Sequence, residues 1–423
     1  MKDLLIYVPV DTFAAAQYEF LPLGPLYIAS FLIDAGYDVD VLHGTAKDIT
    51  SGYKFYGISA TTAQYNMAKE AQVRIREVQP DARIVIGGHH FNAPQCVEEA
   101  VNEELWDHIV IGEGEIVLRN LLSSKISETE KVINGIMIDD INLVPFPAYD
   151  KIDVTKYNFP LKEGLKCINL TTSRGCPFKC AFCSTSQTKL RQRNTDNVLE
   201  EVELLVNKYK FDSLMFVDDT MSIGTKRYNS ILKGLEQYKI KWRSYGRVTT
   251  ITYEGLERML RSGCVECGPG IESGNQSILN LIGKGTNVED NIKWCLKCEE
   301  VGITCTPSII IGLPGESPDT IKDAQTFMER AHPSAFAYNI LMPFPDSPLV
   351  SRYDYFKQFL TIHPYTWDDC VTKSKKITQC FVSTPSLSRE RILEEYYKNY
   401  DMFSEITGFD PRKRGTRGQS SAE

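Results

Sequence analysis

The 423-residue sequence predicts an α/β protein: a doubly wound, Rossmann-like parallel sheet, then a partial (β/α)6 barrel, then a C-terminal helical segment. Three observations predict it. Short apolar runs alternate with amphipathic stretches through residues 1–140, the pattern of a parallel sheet covered on both faces. The alternation resumes after Cys167 with longer helices and six strand-helix units. In both halves, glycine-rich or acidic loops follow the strands, where parallel sheets and barrels place their ligands.

In the first half, Leu4–Val8 opens the sheet, and a helix starting at Pro22 carries Leu26, Ala29, Ser30 and Ile33 at helical spacing. Gly36 ends that helix, Val39–Leu42 and Phe55–Ser59 read as strands, and Ala68–Val78 reads as a helix. Ile84–His90 and Ile109–Glu115 each read as a strand running into a glycine turn, so Ser59, Ala60, Gly87, Gly88, Gly112 and Gly114 fall at strand carboxyl ends. Two prolines in Asn142–Tyr149 disfavour helix and predict an extended interdomain crossing, with the linker spanning 141–164.

The barrel is expected over 165–350. Its expected elements are a helix at Val198–Lys208, a strand at Ser213–Val217, a strand at Trp242–Gly246, a helix at Tyr253–Ser262, and strands at Val265–Ile271, Thr306–Ile311 and Ala335–Leu341. Residues 351–410 form an aromatic-rich extension with a helix capped by Ser386 or Ser388, whose apolar side is Ile392, Leu393, Tyr396 and Tyr397. Amphipathicity favours a packing helix over a substrate lid. The basic stretch 411–423 lacks apolar anchors and is expected to be a disordered tail, with a weak electrostatic tether as the alternative.

A hydrophobic fraction of 42% and a charged fraction of 24% are those of a globular protein. No apolar run approaches the ~20 residues of a membrane span. A net charge of −8 argues against nucleic acid as the main partner, because phosphate binding requires concentrated positive charge. No signal peptide precedes the first strand, so a cytoplasmic location with reduced thiols is expected.

The most informative pattern is Cys176, Cys180 and Cys183, a CxxxCxxC on a Gly/Pro-broken loop directly after the apolar run Cys167–Leu170. A [4Fe-4S] cluster normally takes four thiolates, one per iron. Three cysteines in one loop can hold three corners, and no fourth follows at ligand spacing, so one iron is left open to a small molecule. A zinc knuckle is the weaker reading, since zinc prefers paired CxxC ligands and tetrahedral closure. The pairs Cys264/Cys267 and Cys295/Cys298 suit core packing on a helix face better than a second metal site.

At this loop the chain resembles the radical S-adenosylmethionine (radical SAM) superfamily, and Phe182 is the aromatic usual before the last cysteine. The resemblance extends over most of 165–350, through Arg193, Glu201, Asp218-Asp219, Gly270–Gly274, Lys284-Gly285 and Gly312–Glu316 in order. It implies that the open iron chelates the amino and carboxylate groups of SAM, and that reductive cleavage yields a 5′-deoxyadenosyl radical. It places Asp218, Asp219 and Thr220 at the SAM amino group, Glu272 and Ser273 at the ribose or methionine part, and Ile311, Gly312 and Pro314 against adenine. Arg243 or Arg247 would pair with the SAM carboxylate. Pro343–Pro348 departs from the family's usual PxPGTP in carrying Asp346 and Ser347, which removes a guide to substrate identity.

The first domain resembles the cobalamin-binding domain that precedes the barrel in one class of this superfamily. The matching pieces bring in Leu23, Gly24, Ser59, Gly87, Gly88, Gly112 and Glu113 as cobalamin contacts, because glycines let backbone approach a ligand closely. The loop after the first strand has no DxHxxG, so a protein imidazole below cobalt is not expected. His89 and His90 read equally as turn residues or ligands.

Together these features imply a radical SAM enzyme, with cobalamin-dependent methylation of an unactivated carbon or phosphorus centre as the leading reaction. The alternative is a radical SAM cyclase, oxidase or rearrangement enzyme whose first domain binds cobalamin for another role or not at all. A small-molecule, lipid or peptide substrate and a low-potential electron donor such as flavodoxin or ferredoxin are the expected partners.

Overall fold

A computed structural model describes residues 1–10, 20–159, 161, 165–370, 379–410 and 412. The expected basic tail (411–423) lies outside the described residues apart from Arg412, as does most of the loop after the first strand. The chain divides into two compact units, 1–158 with 365–374, and 159–364 with 375–423.

The first unit is built on a parallel sheet of β1 (Lys2–Pro9), β2 (Val39–Gly44), β3 (Tyr53–Ser59), β4 (Arg83–Gly87), β5 (His108–Ile111) and β6 (Val132–Asn134). Its spatial order is β2-β1-β3-β4-β5-β6. Successive side chains of a strand point to opposite faces. Leu5 and Tyr7 therefore join Tyr56, Ile58, Ile84 and Ile86 on one face, where Tyr65, Phe91 and Trp106 complete the core. The order reverses between β1 and β3, which in open parallel sheets marks the ligand crevice. Sequence reading missed β6, a strand of three residues.

The stretch read as a linker is in large part packed onto the first unit. It forms short 3₁₀ turns at Ile141–Leu143, Tyr149–Lys151 and Val154–Lys156. Ser30 Oγ donates to the Pro145 carbonyl at 3.2 Å and Ala148 N to the Leu26 carbonyl at 3.1 Å. Prolines bar a helix here, but buried Val144, Tyr149 and Tyr157 supply the apolar area that fixes the segment.

The parallel sheet of the second unit runs in sequential order through β7 (Cys167–Leu170), β8 (Ser213–Phe216), β9 (Lys241–Gly246), β10 (Cys264–Glu272), β11 (Ser308–Ile311) and β12 (Ala337–Ile340), with the two-residue strand Thr304–Cys305 also paired to β10. This is the open, partial barrel expected from the sequence. The helix Arg389–Thr407 is capped by Ser388, whose Oγ accepts from Arg391 N at 3.2 Å. It covers the edge strand β12, with Tyr396 stacked on Tyr338 at 5.2 Å and Phe403 edge-on to Phe336. Covering an edge strand removes a row of unpaired backbone groups from solvent.

Cys264 and Cys267 lie on a strand rather than a helix, and Cys295 and Cys298 on the helix Val288–Glu300. All four are buried, and Cys305 hydrogen-bonds with Cys295 and Cys298. Burial pushes the thiols of Cys264, Cys267 and Cys305 well above the ordinary range, so they pack as neutral groups. Among the described residues no helix is long and apolar enough to cross a membrane.

Candidate active site

The loop after β7 brings the three candidate cysteines to the carboxyl end of the barrel sheet. Gly175 has φ +88°, and a Cβ there would strike the Lys189 carbonyl, so only glycine allows this close approach. Ser173–Arg174 pairs with Arg191–Gln192 as a short antiparallel ribbon, and Cys176 N donates to Thr188 Oγ1 at 2.8 Å. Ala181 is pinned on both sides, its N–H on the Ile282 carbonyl (2.8 Å) and its carbonyl on Leu349 N (2.7 Å). Cys176 and Cys180 are buried and Cys183 is partly buried.

Each sulfur has one polar neighbour from a different part of the unit. Thr220 Oγ1 lies 3.7 Å from Cys176 Sγ, Arg247 Nη1 3.8 Å from Cys180 Sγ, and Thr185 Oγ1 3.3 Å from Cys183 Sγ. Burial raises the Cys183 thiol pKa, which the Thr185 bond opposes. Among the described residues no three His, Cys, Asp or Glu side chains converge on a single-ion site. A cubane takes one thiolate per corner iron and requires no such convergence, so these residues fit the cluster that the spacing suggests. Phe182 sits partly buried between Ala181 and Cys183.

Several of the expected site residues have hydrogen-bond or ion-pair partners within the unit. Asp218 is 3% exposed, and its carboxylate accepts from Thr172 N (3.0 Å), Thr172 Oγ1 (2.7 Å) and Ser173 Oγ (2.5 Å). These bonds tie it to the root of the cysteine loop, which it braces. Asp219, next along the chain, is exposed. Arg227 donates to the Thr172 and Arg193 carbonyls at 2.7 and 2.5 Å, and Arg193 donates to the Thr171 carbonyl at 2.8 Å and pairs with buried Glu201. These two arginines brace the same loop from the neighbouring elements.

Arg243 is one of the two arginines that the resemblance offered for the SAM carboxylate. It lies mid-strand, paired with Glu266 at 3.3 Å and held between the rings of Phe159 and Tyr245. Arg247, four residues on and past the end of β9, is the arginine beside the cysteines. Glu272 and Ser273 stand at the end of β10, but the Glu272 carboxylate is ion-paired to Lys284 Nζ at 2.7 Å and Ser273 Oγ accepts from Asn275 N. Gly270 lies beneath that pair, and a Cβ there would sit 2.7 Å from Lys284 Nζ.

At the end of β11, Ile311, Gly312 and Pro314 are buried. Gly312 has φ +90° and faces Val382, and its N–H donates to Glu316 Oε2 at 2.6 Å. That donor is therefore engaged within the turn. Burial pushes the Glu316 carboxyl up to about 8, against the pull of the Gly312 and Leu313 N–H groups. Lys284 and the Asp218 contacts Thr172 and Ser173 were not legible as a network. Only the Lys284-Gly285 pair had signalled itself in the sequence.

The first unit presents a different kind of edge. Gly24 and Gly112 have open space where a Cβ would be, whereas Gly88, at φ +108°, would strike the Ala60 backbone. Gly88 therefore closes the turn, and Gly24 and Gly112 leave backbone bare. Leu23 and Gly24 begin the helix Leu23–Asp34, while Ser59 and Gly87 end β3 and β4. Glu113 accepts from Ile138 N at 3.0 Å. A cavity of 330 Å³ beside β5 is lined by Phe91, Asn92, Pro94, Val97, Glu98 and Ile111. His90 is fully buried, stacked on Tyr65 at 4.2 Å, and burial lowers its pKa to about 4; His89 is exposed. Burial takes His90 out of consideration as a ligand on the edge.

The radical SAM superfamily profile matches residues 170–328, and the B12 binding domain profile matches residues 9–122. Both matches are those of the class that the sequence resembles, radical SAM with a B12-binding domain. The chain is 28% identical over 444 residues to an uncharacterised methyltransferase of Pyrococcus horikoshii, covering 96% of this chain and 95% of that one. It is also 28% identical over 374 residues to the anaerobic magnesium-protoporphyrin IX monomethyl ester cyclase of Cereibacter sphaeroides, covering 82% of this chain and 59% of the cyclase. Its fold matches the radical SAM methyltransferase TsrM of Kitasatospora setae with a TM-score of 0.68 at 16% identity, over 97% of this chain and 89% of that one. The chain is an enzyme with the two-part architecture expected from its sequence.

Proposed function

We propose that the protein is a cobalamin-dependent radical SAM methyltransferase acting on an unactivated carbon or phosphorus centre. The observation that carries this reading is a loop of three thiols, each with its own polar neighbour, on one chain with a doubly wound unit that matches a B12-binding profile. When bound, a [4Fe-4S] cluster with SAM supplies one-electron cleavage of a sulfonium, and a corrin supplies methyl transfer.

The chain's own residues hold and orient these groups. Cys176, Cys180 and Cys183 each ligate one iron, and Asp218, Arg193 and Arg227 fix the loop that carries them. Asp219, exposed at the end of β8, is the carboxylate assigned to the SAM ammonium, where charge-assisted hydrogen bonding favours it. Ser59, Gly87 and Gly112, at or just past strand ends, and Gly24, at the start of a helix, offer backbone to the corrin. A low-potential flavodoxin or ferredoxin would deliver the electron.

The test is anaerobic reconstitution with iron, sulfide and cobalamin, followed by turnover with methyl-labelled SAM. Corrin near one per chain and label transferred to an acceptor are the expected results. The likeness to an anaerobic cyclase motivates a second reading, in which the radical closes or oxidises a ring. Label confined to methionine, with deoxyadenosine formed, would favour it and defeat the first.

A further inference from the structure

Arg247 is 6% exposed, and all three of its guanidinium nitrogens are engaged. Nε donates to Thr249 Oγ1 at 3.0 Å, Nη2 donates to the Lys284 carbonyl, and Nη1 approaches Cys180 Sγ at 3.8 Å. The guanidinium carbon also lies 3.8 Å from the centre of the Phe178 ring, inside the CxxxCxxC loop itself. Among the described residues Arg247 has no carboxylate within ion-pair distance. The neighbouring acids are committed elsewhere, Glu272 to Lys284 at 2.7 Å and Glu266 to Arg243 at 3.3 Å.

A buried cation without a counter-charge is costly, so such an arrangement persists when something anionic completes it. The anionic candidate it touches is the sulfur of Cys180. We infer that Arg247 is the fixed counter-charge of the cluster held by Cys176, Cys180 and Cys183, and that it raises the cluster's reduction potential. The inference rests on the function proposed above.

Three thiolates outweigh the positive charge of a cubane core, and reduction adds one more negative charge. A nearby fixed cation therefore stabilises the reduced form more than the oxidised one, and hydrogen bonds to ligating sulfurs act in the same direction. Burial keeps salt from screening the effect. The planar fork of arginine suits the position, since it covers an aromatic face while reaching three separate acceptors, which an ammonium cannot do.

The experiment is an anaerobic redox titration of the cluster's EPR signal, without SAM, in the parent protein, Arg247→Gln and Arg247→Lys. Iron per chain should be equal in all three. At a fixed potential the ratio of reduced to oxidised cluster should fall about tenfold in Arg247→Gln, which is ~59 mV for a one-electron couple. Arg247→Lys should fall between it and the parent. An unchanged potential in an iron-replete Arg247→Gln protein overturns the inference; if that protein also loses a non-cleavable SAM analogue, the guanidinium serves the SAM carboxylate instead. Should Arg247→Gln fail to retain iron, Arg247→Lys and Thr249→Val carry the test, because they keep a charge but unclamp it. A smaller drop in the same direction is then expected, and no drop overturns the inference. A parent protein that takes up no iron contradicts the proposed function itself, a separate outcome from any of these.

Discussion

The strand ends of the first sheet carry Gly87, with Gly88 and Gly112 just beyond, where the second sheet carries Asp218, Arg247, Glu272 and Glu316. The first edge is shaped by missing side chains, so that backbone can lie against a ligand. The second is shaped by buried polar side chains, tied to backbone, hydroxyls or an opposite charge, that hold a reactive loop still. Both are carboxyl ends of parallel strands, where ligands are expected. One topology thus supports recognition by bare backbone and chemistry by a coupled polar network, depending on which residues terminate the strands.

The largest expected effect tests whether the two edges act independently. Replacing Cys176, Cys180 and Cys183 together with alanine should reduce iron content and deoxyadenosine formation to background while leaving corrin uptake unchanged, measured by metal analysis and extracted corrin. Loss of corrin as well would break the comparison, because it would make the first edge dependent on the second.

Next comes the brace beneath the loop. Asp218→Ala strands the Thr172 N–H and two hydroxyls in a buried site, and should cost roughly 3 kcal/mol in denaturant unfolding. It should also lower iron uptake well below that of the parent. Full iron with weakened SAM binding would return Asp218 to a ligand role.

Glycines sharpen the other side. Gly88→Ala, with its positive φ and the Ala60 backbone in the way, should destabilise the first unit by about 2 kcal/mol. Gly24→Val meets open space and should change stability by less than about 0.5 kcal/mol while reducing corrin uptake. Equal corrin uptake in Gly24→Val and the parent would show that this part of the edge does not face the ligand.

The smallest effect is a difference in pH response. Glu316 has its folded pKa raised from 4.5 to about 8, so the folded state holds its proton more tightly, and stability should fall as pH rises from about 4.5 to 8. His90 has its folded pKa lowered from 6.5 to about 4, so stability should instead be lost as pH falls through that window. Calorimetry across pH should therefore move the two units in opposite directions, and Glu316→Gln should flatten the response of the second. Parallel responses would contradict these two burial assignments.

The cysteine spacing, the glycine turns and the strand-helix alternation were all legible because each is local: three thiols need only a short loop, and a glycine turn needs only its own φ. The choice between Asp218 and Asp219 was not legible. Adjacent residues at a strand end point to opposite sides, and only the packing of β7 against β8 decides which carboxylate meets Thr172 and Ser173. The choice between Arg243 and Arg247 had the same character, since β9 carries the first into an ion pair with Glu266 and delivers the second to Cys180. Prolines in Asn142–Tyr149 exclude helix without saying whether the chain then packs.

By itself, then, the sequence determined the two parallel sheets, their order along the chain and the three sulfurs, since each follows from short-range pattern and covalent spacing. Tertiary structure alone decided which charged groups surround those sulfurs, which carboxylates are spent on backbone, and which glycines are open. Those outcomes depend on residues tens of positions apart meeting across neighbouring strands, and no local pattern encodes the meeting.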